Sequence, residues 1–164
     1  MIQKQTIIYN PETIQENWKH YFKCSIPGNQ YTILYDGNTC IMTDTVFEAK
    51  TNQPLYDLVT QKGDGCNVLL IGWGIGFVIP KIRELVPNST ITVIEKYQEV
   101  LDLTPPDSSI NIVLGDVNTV TLPQGPFDII WSDLTEPNNR EEDLRNLLNA
   151  DGVFQYWRGM CINC

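Results

Sequence analysis

The chain is poor in the features that would tie it to a membrane, a nucleic acid or a metal. None of its 164 residues form a run approaching the roughly 20 apolar residues of a membrane-spanning helix, so no membrane association is expected. Basic residues are scarce: 11 Lys and Arg stand against 20 Asp and Glu, a formal net charge of −9. Capture of a nucleic-acid backbone draws on clustered Lys and Arg, and no nucleic-acid partner is expected. Histidine occurs once, as His20. The Cys161-Ile-Asn-Cys164 pair supplies only two metal ligands, and a zinc site needs partners that the sequence does not display. The five cysteines are odd in number and scattered, unlike a secreted disulfide framework. The first ten residues lack the charged-then-apolar order of a secretory signal. A cytoplasmic globular protein is the expectation.

What is present divides the chain in two. In the first part, Asn10-Pro11 provides a helix start, with Asn10 as N-cap, and Ile14, Trp18, Tyr21 and Phe22 share one helical face. Residues 30–35 and 39–43 read as strands around Asp36-Gly37-Asn38, a hairpin signal. Pro54 opens a helical segment over 55–61. Residues 1–62 are therefore expected to form an N-terminal helix-and-hairpin extension. Residues 63–164 are expected to form the larger domain. There strands (66–71, 90–94, 110–114, 127–131, 153–157) alternate with helices (from 78 to 86, then 98–103 and 140–148), with Asp151-Gly152 as a turn. Such alternation predicts an α/β fold of Rossmann-like, doubly wound type, with about five mostly parallel strands.

The first strand of that domain ends in Gly72-Trp73-Gly74-Ile75-Gly76. Glycine permits positive φ and close backbone approach, and ligands of doubly wound sheets bind at the carboxyl ends of the strands. The other strand ends carry acids. Glu95 lies 23 residues past Gly72, about where an acid takes both ribose hydroxyls. Gly115-Asp116 follows the third strand, and Asp116 is placed to accept from the amine of an adenine. Asp133, Thr135 and Glu136 follow the fourth, and Asp133 is placed to hold or deprotonate an amine. We take Gly72, Trp73, Gly74, Gly76, Glu95, Lys96, Asp116, Val117 and Asp133 as the cofactor-binding set, and Asp133 and Glu136 as the catalytic pair. Taken singly, each has a plainer reading as a turn or surface residue. Their order along successive strand ends points to an adenosyl ligand. Trp131, Tyr156 and Trp157 read as core or interface residues.

Together these segments resemble the class I S-adenosylmethionine (SAM)-dependent methyltransferase superfamily, and within it the spermidine-synthase-like aminopropyltransferases. The resemblance runs from about Tyr31 to Trp157. Thr32–Gly37 is similar to that family's hairpin, Val68–Phe77 to its glycine-rich loop, and Thr92–Glu95 to its ribose-binding strand. Val113–Asp116 is similar to its adenine-side Gly-Asp, and Asp128–Pro137 to its catalytic D-S-T-D-P segment. The match implies a base at Asp133 and an amine-binding acid at Glu136. The chain departs from the aminopropyltransferase pattern at Ile75, where an aspartate would help hold a substrate amine. Leu70 stands where many methyltransferases carry an acid. The family's active-site tyrosine has no secure counterpart near Phe47-Glu48. The family fold adds two strands after the fifth. A sheet truncated after strand five leaves an edge that invites pairing, so a homo-oligomer is expected.

The leading expectation is a small SAM-dependent methyltransferase acting on an unidentified acceptor. One alternative is aminopropyl transfer from decarboxylated SAM to an amine substrate such as a diamine. Another is a non-catalytic relative that binds SAM, methylthioadenosine or a partner.

Overall fold

The computed structural model describes residues 1–134 and 139–157. Within them the chain forms two compact units, the first running to Gln53 and the second from Pro54.

The first unit is an antiparallel meander, order β1-β2-β3, of β1 (Ile2–Ile8), β2 (Gln30–Asp36) and β3 (Thr39–Thr43). The hairpin of β2 and β3 turns at Gly37, as its Asp-Gly-Asn signal predicts. Strand β1 was not expected. Its interior, Gln3-Lys4-Gln5-Thr6, is polar and largely exposed, so it has no period-two signal; it exists because it pairs along the whole of β2, from Ile2 opposite Asp36 to Ile8 opposite Gln30. The expected helix from Asn10 shrinks to a 3-10 helix, Glu16–Phe22. The Asn10 carboxamide accepts the Glu12 N–H at 2.9 Å and closes a local turn, the competing use of an Asn side chain. The apolar stripe survives: Trp18 and Phe22 are buried in a cluster with Tyr31, Ile33 and Cys40. Helix α1 (Val46–Thr51) ends this unit, its Thr45 N-cap accepting from the Glu48 N–H. Burial, then nearby Glu48, pushes the Cys40 thiol up to about 12, which leaves it inert as a nucleophile at neutral pH. Cys24 is disulfide-bonded, whereas Cys40 and Cys66 are buried free thiols.

The second unit opens with α2 (Gln53–Lys62) and continues as β4 (Asn67–Ile71), α3 (Val78–Leu85), β5 (Thr90–Glu95), α4 (Gln98–Leu103), β6 (Ile110–Leu114), β7 (Phe127–Ser132), α5 (Glu141–Arg145) and β8 (Leu148–Tyr156). The sheet order is β6-β5-β4-β7-β8, and every pairing is parallel. The chain winds outward from β4 through β5 to β6, then returns to β4's other side with β7. That reversal is a topological switch point. The apolar runs of β4 and β5 are buried almost end to end, as a sheet covered on both faces requires. Leu69, Ile71, Ile94, Phe127, Ile130 and Leu144 belong to one buried core cluster.

One boundary differs from expectation. The predicted helix 140–148 stops at Arg145, and β8 starts at Leu148, so Asp151-Gly152 lies inside a strand. The register jumps there, from Phe127 opposite Leu148 to Ile129 opposite Val153. A Cβ on Gly152 would lie 2.9 Å from the Phe127 carbonyl oxygen. The glycine serves a bulge rather than a turn between elements. Among the described residues, no helix is long and apolar enough to cross a membrane.

Candidate functional site

Four of the strand ends that the sequence marks are brought to the same edge of the sheet. Gly72 follows β4, Glu95 ends β5, Asp116 lies two residues past β6, and Asp133 follows β7. Parallel pairing puts all four at the carboxyl end, at and beside the switch point.

The glycine turn uses the freedom that its composition provides. Gly72, Gly74 and Gly76 have φ of 102°, 57° and 66°, a region that L side chains rarely adopt. Gly76 is also sterically constrained: a Cβ there would lie 2.5 Å from the Trp73 ring. Trp73, expected among the ligand contacts, is packed inward and only 8% exposed. Its indole N–H donates to the Thr104 carbonyl at 2.6 Å and faces the Thr104 hydroxyl at 3.1 Å. The Thr104 hydroxyl also lies 2.9 Å from the Gly74 carbonyl oxygen. Trp73 and Thr104 thus fasten the turn to the end of α4. No sequence pattern identified Thr104, whose partners are 30 residues away in the chain.

Glu95 is 5% exposed, so its carboxylate must be satisfied by hydrogen bonds. One oxygen accepts the Trp73 N–H at 2.9 Å and the other accepts the Tyr97 N–H at 2.8 Å. Its backbone carbonyl accepts the Gly115 N–H at 2.8 Å. This residue therefore ties together the turns after β4, β5 and β6. Each carboxylate oxygen has two acceptor sites, which leaves capacity for hydroxyls.

Asp116 faces Lys96 across an ion pair of 2.9 Å. Its other oxygen accepts the Asn118 N–H at 2.9 Å. The Asn118 N–H first, and Lys96 next, hold its carboxyl below the usual aspartate value. The Lys96 ammonium is correspondingly raised, chiefly by Asp116. The Val117 side chain is buried in the apolar cluster with Leu69, Ile71 and Ile94, so it does not face solvent at the strand ends.

Asp133 stands beside the turn: a Cβ on Gly72 would lie 3.5 Å from its Cβ. Its backbone N–H donates to the Ile71 carbonyl at 2.9 Å, extending the ladder between β4 and β7. Burial pushes its carboxyl up to about 7, and no hydrogen bond to that carboxyl is present among the described residues. Glu136, the expected second acid, lies outside the described residues, as do Thr135, Cys161 and Cys164. No group of three or more His, Cys, Asp or Glu capable of holding a metal occurs among the described residues.

No family model matches the sequence, and no curated protein matches it. Similarity appears among solved structures. A SAM-dependent methyltransferase from Mesorhizobium loti is 18% identical, covering 67% of this chain and 54% of its own, at a TM-score of 0.53. The plantazolicin methyltransferase BpumL, solved with a monoazolic substrate analogue and SAH, is 17% identical over 67% of this chain and 51% of its own, at 0.51. Precorrin-6y C5,15-methyltransferase from Geobacter metallireducens is 16% identical over 63% and 61%, at 0.51. The chain spans about half the length of the first two. The fold is thus the Rossmann-like fold of class I SAM-dependent methyltransferases. The closer likeness to spermidine-synthase-like enzymes gains no support from these structures.

Proposed function

We propose that the chain binds S-adenosylmethionine and acts as a SAM-dependent methyltransferase on an acceptor still to be identified. The carrying observation is Glu95. A buried carboxylate at the end of β5 braces a three-glycine turn through the Trp73 N–H, beside the switch point where doubly wound sheets hold nucleotide-type ligands. The fold, and the SAH in the plantazolicin methyltransferase structure, support the same reading.

The residues suit that ligand. The turn lacks side chains at Gly72, Gly74 and Gly76, so an adenosyl group can approach its backbone. Glu95 accepts ribose hydroxyls on the lone pairs that Trp73 and Tyr97 leave unused. Asp116 accepts the adenine amine once Lys96 yields one oxygen. The bound SAM supplies a methyl group on an electron-poor sulfonium. Transfer is an in-line displacement, so the protein contributes mainly position and exclusion of water. Asp133, titrating near 7, is suited to hold a proton of the incoming acceptor. Ile75, in place of a loop acid, offers no counter-charge to a diamine.

Calorimetric titration with SAM and SAH tests the reading. We expect micromolar binding of both, weakened at least tenfold in Glu95→Ala. Absence of heat with either ligand in a folded sample would overturn it.

A further inference from the structure

The end of α4 reaches the glycine turn through one side chain. Pro105-Pro106 follows α4, and the residue before a proline is kept out of the α region. Thr104 accordingly leaves the helix at φ −138°, ψ 66°. It is 6% exposed. Its carbonyl accepts the Trp73 indole N–H. Its hydroxyl oxygen lies 2.9 Å from the Gly74 carbonyl oxygen, 2.7 Å from the Val100 carbonyl oxygen and 3.1 Å from the Trp73 Nε1.

A hydroxyl has one proton to give, and here it has two carbonyls within reach. The indole nitrogen is a donor, so it does not compete for that proton. The Val100 carbonyl already receives the Thr104 backbone N–H at 3.0 Å. Among the described residues, no other donor reaches the Gly74 carbonyl. A bond back to the carbonyl four residues earlier is a common use of a helical threonine, but it would serve Val100 twice and Gly74 not at all. Carbonyls away from water are seldom left unpaired, which assigns the proton to Gly74.

Gly74 stands in the middle of the turn. The Gly76 N–H closes that turn on the Trp73 carbonyl at 2.9 Å, so the Gly74–Ile75 peptide is its central one. A trans peptide is planar, with its C=O and N–H pointing in opposite directions. Anchoring the Gly74 oxygen on Thr104 therefore turns the Ile75 N–H away from that anchor. Gly74 has φ 57° and no side chain to resist rotation of this peptide. Rotated by half a turn, the peptide would present an acceptor where it now presents a donor.

We propose that Thr104 is a positioning residue for the adenosyl ligand: its hydroxyl holds the Gly74–Ile75 peptide in the orientation that the ligand binds. The proposal rests on the SAM-binding reading of the glycine turn. Thr104 acts through Gly74 and makes no contact with the ligand.

The test uses the full chain and two variants. Thr104→Val keeps the branched shape and removes the hydroxyl; Thr104→Ser keeps the hydroxyl and removes the methyl. SAH is titrated calorimetrically. Thr104→Val is expected to lower SAH affinity on the order of tenfold, the cost of a carbonyl left without its donor, and Thr104→Ser to match the parent. Without ligand, the Gly74 carbonyl ¹³C signal should move upfield in Thr104→Val and hold in Thr104→Ser. Val59→Ala, at a fully buried position of α2, separates position from stability: it should lower the melting temperature and leave SAH affinity as it is. A Thr104→Val chain that binds SAH as the parent does, or whose Gly74 signal stays in place, overturns the role. So does an equal loss of affinity in Thr104→Ser or Val59→Ala, which would trace the effect to packing. If Thr104→Val does not fold, the parent decides: its Thr104 hydroxyl proton should exchange slowly enough with water to be observed, and more slowly with SAH. Exchange that SAH leaves unchanged overturns the role. A folded parent that gives no heat with SAH overturns the methyltransferase reading and the role with it. A parent that binds SAH, beside a Thr104→Val chain that binds it equally, overturns the role alone.

Discussion

The two units use the same residue types to different ends. In the first, aromatic residues fill an interior: Tyr9, Phe22 and Tyr31 contact one another ring to ring, and the Trp18 indole N–H donates to the Asn38 carbonyl at 3.0 Å, steadying the hairpin turn. In the second, the Trp73 indole makes a similar bond to Thr104, but what it steadies is the glycine turn at the switch point. Glycine divides the same way. Gly37 has φ 57° with nothing within 4 Å of its Cβ position, whereas Gly76 has φ 66° with the Trp73 ring at 2.5 Å. Similar backbone demands carry different packing demands. The stricter ones gather where a ligand is proposed to sit.

The largest effect expected is that of Asp133, in the second unit. Its folded value of about 7 lies above its ordinary 3.8. The folded chain therefore keeps a proton that the unfolded chain has lost between these values, and stability falls as pH rises through that window, by up to about 4 kcal/mol. Asp133→Asn should flatten that slope and stabilise the chain at pH 8. Urea midpoints at pH 5, 6, 7 and 8 check this, and an unchanged slope would show that burial at Asp133 is not its source.

Next comes the glycine pair. Gly76→Ala adds left-handed strain to a clash with the Trp73 ring, together about 3 kcal/mol, with SAM binding lost. Gly37→Ala carries the strain alone, about 1 kcal/mol, and should leave SAM binding as it is. Equal losses in denaturant melts would erase the distinction between the two sites. The tryptophan pair is subtler. Trp73→Phe leaves the buried Thr104 carbonyl without its indole donor and should cost about 2 kcal/mol, and Trp18→Phe about 1 kcal/mol. Only the former should weaken SAM, by several-fold in calorimetry. Last, Lys96→Met frees the Asp116 oxygen from an exposed ion pair, a kind of contact that adds little to stability. It should tighten SAM binding a few-fold and reduce its salt dependence.

Much of the second unit was readable because its signals are local. Apolar runs bounded by Gly, Pro and Asn place β4 to β7 within a residue or so, and the glycine turn and Glu95 follow from residue type and spacing. The misreadings share a cause. Strand β1 has no pattern of its own and is made by pairing with β2. Strand β8 extends back through Asp151-Gly152 because β7 offers it a ladder. Asn10 closes a turn in place of capping a long helix. In each case a hydrogen-bonding partner outweighed the local propensity.

By itself, the sequence determined the fold class, the alternation of strands and helices from β4 to β8, and a row of glycines and acids at successive strand ends, because periodicity and glycine's backbone freedom are properties of short segments. Only the tertiary structure decided what those residues do to one another. It turned Trp73 inward onto Thr104, committed Glu95 to the turn's backbone, joined Lys96 to Asp116, and set Asp133 against the glycine turn at Gly72 with its carboxyl raised by burial. The reason is physical: hydrogen-bond satisfaction and desolvation depend on neighbours that lie tens of residues apart in the chain, and no local pattern encodes them.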